Sequence, residues 1–530
     1  MSRAQRLTLL ACVLGSSMVF LDGTLVNVAL PAIRRDLGGG LATQQWIVDA
    51  YLLTLGSLLL VGGSLGDTFG RRRVFGAGVA GFGVGSLLCA VAPDSGLLIA
   101  ARALQGVAGA LLVPSTLALI VDTFEEGQRA AAIGAWTAWT GIATAAGPFA
   151  GGVLVELGSW RLVFVVNLPL ALATLRLILR APAGSPAVEG RVDWIGGALC
   201  ALGLAGPVFA LIEQPRYGWS SLRVWPALAV GCALLATVVA WERRSRTPML
   251  PLGLFAARNF AVGNLATLAL YAALNTLTFF LVVFLQQVAG YSPIEAGLAL
   301  MPVSILTFLL AKRFGRLADR RGPRLFMGAG PLIVGIGLLL LLRVGAHAPY
   351  ASQVLPGMVV FAFGLAMTVA PLTAAVLGAV ESDRSGVASG VNNAVARVAG
   401  LVAIAAVGAV VAGHFSAGLD QRLQRASSSA GALAALSHAR ERPFVLDAAA
   451  FPPQLRSAAR GAIAGASLDS YRLAIDIAAA LAFLSGLVSL GGISGRRREV
   501  AAETCAGGAL YGASSDVAGV PSPLAGSGRL

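Results

Sequence analysis

Apolar runs of helix length follow one another along residues 7–492, each ended by charge, glycine or proline. Crossing a hydrocarbon core of about 30 Å takes about 20 mostly apolar residues, so these runs predict membrane helices. Six lie near 7–30, 46–66, 74–93, 97–121, 131–157 and 161–179. A polar stretch with Pro182, Pro186, Glu189 and Arg191 comes next, then two runs near 194–213 and 222–241 and a basic segment from Glu242 to Arg258. Six further runs lie near 260–287, 293–311, 325–343, 353–376, 391–413 and 470–492. The six, two, six pattern predicts an all-α integral membrane protein of fourteen helices. Residues 1–180 form an N-terminal half, 181–259 a linker with two extra helices, and 260–493 a C-terminal half with a long outer loop at 414–468. That loop, rich in Ala, Ser and Arg, has room for amphipathic helix, and the Gly/Ser/Ala-rich tail at 494–530 is expected to be disordered.

Charge tests the count, because an error of one helix would reverse the sign of every later loop. With the N-terminus inside, the Arg71, Arg72, Arg73 group and the Lys312 to Arg324 cluster both fall on the cytoplasmic side, and the short outer loops are poor in basic residues. Composition agrees: of 530 residues 57% are hydrophobic and 12% charged, with a mean hydropathy of +0.79. The net charge of +14 sits in short clusters between apolar runs, which fits membrane orientation and not a nucleic-acid partner. Cys12, Cys89, Cys200 and Cys232 lie inside apolar runs and Cys505 in the tail, so no disulfide framework is visible. Arg3 and Arg6 precede the first run as in a signal peptide, but Asp22 and Asn27 interrupt it, so it reads as a retained helix.

Intramembrane charge is costly, which singles out Asp22, Arg102 and Arg397. At 1.5 Å per residue, Asp22 lies roughly 13 Å below the outer end of its helix, Arg102 roughly 8 Å and Asp49 roughly 5 Å. An arginine facing two carboxylates would hold them ionised until protons or substrate displace the pairing. The alternatives are a structural ion pair and, for Asp49, a solvated residue near the interface. Pro148 removes a backbone donor, and Gly147 and Gly151 form GxxxG, together a packed hinge or plain helix packing. Asn264, Thr267, Tyr271, Asn275 and Thr278 recur at spacings of three and four, a polar stripe that either lines a central cavity or bonds to a neighbouring helix. With Phe279, Phe280, Trp136 and Trp139, such a cavity would be apolar and aromatic with a few polar anchors.

Two loops share the frame GxLxDxxG, Gly63 to Gly70 and Gly315 to Gly322, each after the second helix of its half, as in a parallel repeat. In this loop Asp67 is expected to cap the following helix, Arg71 to hold the cytoplasmic face, and the whole to act as a conformational latch. Further motifs are LDGTLVNVALP at 21–31, WIVDAYLLT at 46–54, RALQGVAGA at 102–110, GPFAGG at 147–152 and WRLVFVVNLP at 160–169. Together they resemble the major facilitator superfamily, and within it the fourteen-span drug:proton antiporters, over residues 7–492. The loop matches that family's signature at Gly63, Leu65, Asp67, Gly70 and Arg71 and departs from it at Thr68. The second copy has Gly315, Asp319, Arg320 and Gly322.

The resemblance implies the major facilitator fold, two six-helix halves plus two central helices, in a bacterial cytoplasmic membrane with both termini inside. It implies a monomeric proton-coupled antiporter exporting small hydrophobic or cationic compounds, with no cofactor and the proton gradient as energy source. Asp22, Asp49 and Arg102 would couple proton and substrate, and Gly147, Pro148, Gly151 and Gly152 would form the antiporter motif. Against an enzyme, no constellation of nucleophiles, acids or ligands stands at membrane depth, and His347, His414 and His438 have no ligand spacing. No GxxxxGK[ST] loop is present. A receptor would be expected to carry a signalling domain, and no soluble segment is long enough. The closer alternative is a dedicated exporter or carrier of one metabolite class.

Overall fold

The computed structural model describes residues 1–181, 192–245, 248–381, 384–423 and 430–494. The expected polar linker around Pro182 to Arg191 and the tail beyond residue 494 lie outside them. Among the described residues, fourteen helices are long and apolar enough to cross a membrane. They are α1 (Arg3–Leu37), α2 (Leu41–Phe69), α3 (Arg71–Ala90), α4 (Ser95–Thr123), α5 (Gly127–Glu156), α6 (Leu162–Arg180), α7 (Trp194–Tyr217), α8 (Val224–Arg244), α9 (Arg258–Gln287), α10 (Pro293–Arg321), α11 (Pro323–Arg343), α12 (Tyr350–Leu377), α13 (Gly386–Leu423) and α15 (Pro453–Gly492). A short helix, α14 (Ala430–Arg440), precedes the last of them.

The helices outrun the apolar runs that predict them, because polar residues at their ends remain helical and satisfy backbone groups internally. Two corrections follow. The first helix continues to Leu37 and the second begins at Leu41, so Asp49 lies about 12 Å into α2, not about 5 Å. The segment 414–468 is not an open loop: α13 extends to Leu423 and α15 begins at Pro453. Phe415 and Leu419 of α13, Leu436 of α14, Phe451 just before α15 and Ile463 of α15 form a separate small core.

Local sequence fixes several helix starts. Ser2 and Gln5 form a reciprocal capping box on α1, as Ser292 and Glu295 do on α10. Asp94 caps α4 through the Leu97 amide at 2.9 Å and Asp193 caps α7 through the Gly196 amide at 2.8 Å. The repeated signature ends in Gly70 and Gly322, whose φ values of +93° and +86° allow the single-residue reversals from α2 to α3 and from α10 to α11. Both reversals lie at the end of the bundle that carries the arginine clusters, called here the basic end.

Within the first half α4 packs on α2 and α3, and α1 packs on α5 and α6; in the second half α12 packs on α10 and α11, and α9 on α13 and α15, in the corresponding way. The halves meet along α2 against α13 and α5 against α10. The extra helix α7 lies on both α2 and α13 and so covers that seam from outside. Most direct bonds between halves lie toward the end opposite the basic one. Gln45 donates to the Ile404 carbonyl at 2.6 Å, Gln286 to the Val28 carbonyl at 2.9 Å and Gln287 to Gln44 at 3.0 Å. Beside them Phe444, fully buried and held at φ +69°, lies against Phe280.

The α1–α5 contact depends on the absence of a side chain at Gly151, where a Cβ would press on the Leu25 backbone at 3.0 Å, whereas one at Gly141 would meet nothing within 4 Å. Gly151→Leu is therefore expected to destabilise the protein by about 1–3 kcal/mol, the range for overpacking, and Gly141→Leu to be neutral. Thermal unfolding of the two purified variants checks this, and equal midpoints would refute the packing account.

Candidate functional site

The two charges that the sequence places at similar depth meet in the interior of the first half. Asp22 on α1 is fully buried and Arg102 on α4 is 1% exposed. Arg102 Nη1 donates to Asp22 Oδ2 at 2.5 Å and to Gln105 Oε1 at 2.6 Å, while its Nε donates to the Ile47 carbonyl at 3.1 Å. The other carboxylate oxygen, Oδ1, accepts from Gln105 Nε2 at 3.0 Å and from Asn167 Nδ2 at 3.1 Å. Ser86 on α3 accepts from both amides, at 2.9 and 3.3 Å. The Arg102 guanidinium also lies 4.2 Å from the centre of the Tyr51 ring. Five helices, α1, α2, α3, α4 and α6, thus converge on one ion pair.

Asp49 stands in the opposite situation. It is fully buried, which excludes the solvated alternative, and neither carboxylate oxygen has a hydrogen-bond partner among the described residues. Its neighbours along α2 locate it: Gln45, one turn away, bonds to Ile404, and Gly56, two turns the other way, receives the Arg397 side chain of α13. Residues 45, 49, 52 and 56 share one helix face, so Asp49 is on the face of α2 that meets the second half.

The loop signature does not work as the sequence suggests in one respect. Asp67 does not cap α3, whose N-cap Gly70 carries no side-chain bond. Asp67 instead lies in the last turn of α2 and accepts from Arg71 at 2.9 Å, and Arg71 also pairs with Asp122 of α4 at 2.5 Å. Gly63 faces Pro114 of α4 and Gly315 faces Ala370 of α12, equivalent places in the two halves. Asp319 is exposed and joins no ion pair among the described residues.

The GPFAGG segment sits where α5 touches two partners. Gly147 abuts Thr24, and Gly151 abuts Leu25, both on α1; Gly152 abuts Pro293 and Ile294, and the Pro148 carbonyl abuts Gly297 of α10. The motif is therefore part of the contact between halves. The α9 stripe turns toward α13: Asn392 donates to Asn264 at 3.1 Å and to Thr267 at 2.9 Å, Asn275 packs on Gly400, and Tyr271 packs beside Ala399 and Ala403. Trp136 donates to Ser16 at 3.0 Å, and Trp139 is 59% exposed. No group of three or more His, Cys, Asp or Glu able to hold a metal ion occurs among the described residues.

Residues 12–404 match the family model of the Major Facilitator Superfamily. The chain belongs to this superfamily. It is 37% identical over 432 residues to the multidrug resistance protein Stp of Mycobacterium tuberculosis (strain CDC 1551 / Oshkosh), spanning 80% of this chain and 79% of that one. It is 32% identical over 495 residues to the tetracenomycin C resistance and export protein of Streptomyces glaucescens, spanning 91% and 90%. A bacterial homolog of the human lysosomal transporter Spinster shares the fold with a TM-score of 0.63 at 17% identity, over 94% of this chain and 100% of that one. A D-xylose-proton symporter does so at 0.59 and 14%, over 92% and 97%. This facilitator is thus a multi-pass membrane transporter for a small molecule, with no catalytic family indicated.

Gln105, Ser86, Asn167 and Asn392 are the site residues that sequence reasoning passed over. Gln105 and Asn167 lie inside two of the quoted motifs, and each is a polar residue in an apolar run, which is the signal that marks them. If Asp22 and Arg102 act as a pair in this facilitator, Arg102→Gln alone leaves a buried carboxylate uncompensated and is expected to cost about 3–5 kcal/mol. Adding Asp22→Asn should restore part of that loss. A double-mutant cycle by chemical unfolding in detergent measures the coupling, and strictly additive losses would contradict it.

Proposed function

We propose that this protein is a proton-coupled antiporter that exports small hydrophobic or cationic compounds, and that Asp49 is the carboxyl that carries the proton. The observation that carries the reading is the orphaned carboxyl of Asp49 at the seam between halves. A bare anion with no donor on either oxygen is costly in a buried, low-dielectric place, so the geometry suits a neutral carboxyl in this conformation. Rearrangement of the α2–α13 seam would bring donors or water to it and release the proton. Asp22 has a full complement of donors, which suits a permanent ion and moves the proton from the residue expected on sequence grounds to its neighbour on α2. The energy source would be the proton gradient, with no further cofactor.

The relatives that are multidrug resistance and antibiotic resistance and export proteins support export as the direction. The positive-inside rule supports a bacterial cytoplasmic membrane with the basic end, and both termini, in the cytoplasm. Under that orientation the glutamine bonds and Phe444 close the external side, and loading from the cytoplasm comes next. The Asp67, Arg71 and Asp122 cluster would act as a latch at the cytoplasmic ends of α2 and α4. A dedicated exporter of one metabolite class is the second reading, favoured by relatives named for a single compound, such as the tetracenomycin C protein.

Inverted vesicles with an imposed pH gradient should accumulate ethidium and a neutral dye with the wild type. Asp49→Asn is expected to abolish gradient-driven uptake and substrate-induced proton release from purified protein while substrate still binds. Retention of both by Asp49→Asn at wild-type levels would overturn the assignment. Response to one chemical class only across a wider compound panel would favour the dedicated exporter.

A further inference from the structure

Arg397 of α13 is a charge within a membrane-spanning helix that neither the Asp22–Arg102 pair nor Asp49 engages among the described residues. It lies 11 residues beyond Gly386 on α13, about 17 Å along the helix axis, and its Cβ rests on Gly56 near the middle of α2 at 3.2 Å from the position a Gly56 side chain would take. Its guanidinium sits over the ring of Phe20, in the middle of α1, 5.3 Å from the ring centre. It therefore reaches from the second half across to the first. Tyr271 of α9 packs beside Ala399 and Ala403 of the same stretch of α13.

Among the described residues Arg397 forms no ion pair and donates no side-chain hydrogen bond. The acid nearest in role, Asp22, is already committed to Arg102, Gln105 and Asn167. The side chain is nevertheless not sealed, being of intermediate exposure. Its contacts with Phe20 of α1 and Gly56 of α2 place it where the two halves meet, on a seam whose other side carries α7. An unpaired cation at this depth is costly unless water or an anion meets it. A lipid headgroup does not reach it, because half of a hydrocarbon core is about 15 Å thick. With one face of the guanidinium on Phe20, the in-plane N–H fork remains free, and its geometry matches a carboxylate.

We propose that Arg397 anchors an anionic group, a carboxylate on an otherwise apolar aromatic molecule, and that the transporter therefore accepts acidic aromatic compounds beside the neutral and cationic ones. The ring system would lie along Phe20 and Tyr271 while the acid meets the guanidinium. The proposal rests on the export reading for calling this ligand cargo; the binding site itself is tested without transport.

Purified full-length protein in nanodiscs of phosphatidylcholine, free of anionic lipid, is titrated with 2-naphthoate and with its neutral methyl ester. Wild type should bind the acid more tightly than the ester. Arg397→Gln should weaken 2-naphthoate by about tenfold or more, the equivalent of about 1.4 kcal/mol, and leave the ester unchanged. Arg397→Lys should recover part of the acid affinity, and Phe20→Leu, a milder change in the seat of the guanidinium, should weaken both ligands. Equal loss for acid and ester in Arg397→Gln, no loss for either, or no preference of wild type for the acid would each overturn the proposal. Gradient-driven uptake in vesicles is read separately: its absence with intact Arg397-dependent binding would refute the export reading and leave the anion site standing.

Discussion

A carboxylate and a guanidinium removed from water must find each other and satisfy every remaining donor and acceptor, or the fold around them fails. Asp22 and Arg102 pair directly and take further bonds with Gln105, Asn167 and the Ile47 carbonyl, while Ser86 joins the two amides. Because these groups come from α1, α2, α3, α4 and α6, the first half closes around one polar centre in an otherwise apolar bundle. In lipid there is little hydrophobic gain from bringing helices together, so close packing and such bonds carry the association. The Gly62 approach to the Ala110 backbone and the Gly106 approach to Tyr51 show the packing side of the same requirement.

With the first half so fixed, what remains free to change is the seam. There the bonds are few and lie largely at one end, the helices touch through Gly152 and Gly297, and two charged side chains, Asp49 and Arg397, have no ion-pair partner among the described residues. A first half gathered around one ion pair and a sparsely bonded seam suit a rocking transporter: the ligands bias the position of the halves only if they interact differently with each arrangement. Proton and cargo acting at neighbouring positions on α2 and α13 would each alter the other's apparent affinity, and by the same factor.

The asymmetry between the two copies of the loop signature fits this division. Both glycines turn the chain in the same way, yet Asp67 engages Arg71 and Asp122 while Asp319 stays exposed. The repeat conserves backbone geometry, and the charges on it are free to serve different purposes in the two halves.

The sequence by itself determined the fourteen crossings, the six, two, six order and the family, because apolar length and short motifs are local properties that lipid enforces strongly. It also picked out Asp22, Arg102, Asp49 and Arg397, since intramembrane charge is conspicuous wherever it falls. It did not decide which of these charges are paired. Asp22 and Arg102 are 80 residues apart in the chain, and only the packing of α1 on α4 makes one a bound ion while Asp49, on the adjacent helix, has no donor among the described residues. Likewise the α9 stripe reads the same on a helical projection whether it lines a cavity or bonds to a neighbour, and the position of Asn392 on α13 settles it for Asn264 and Thr267. Periodicity reports that a face is polar, whereas what that face meets is a property of tertiary structure.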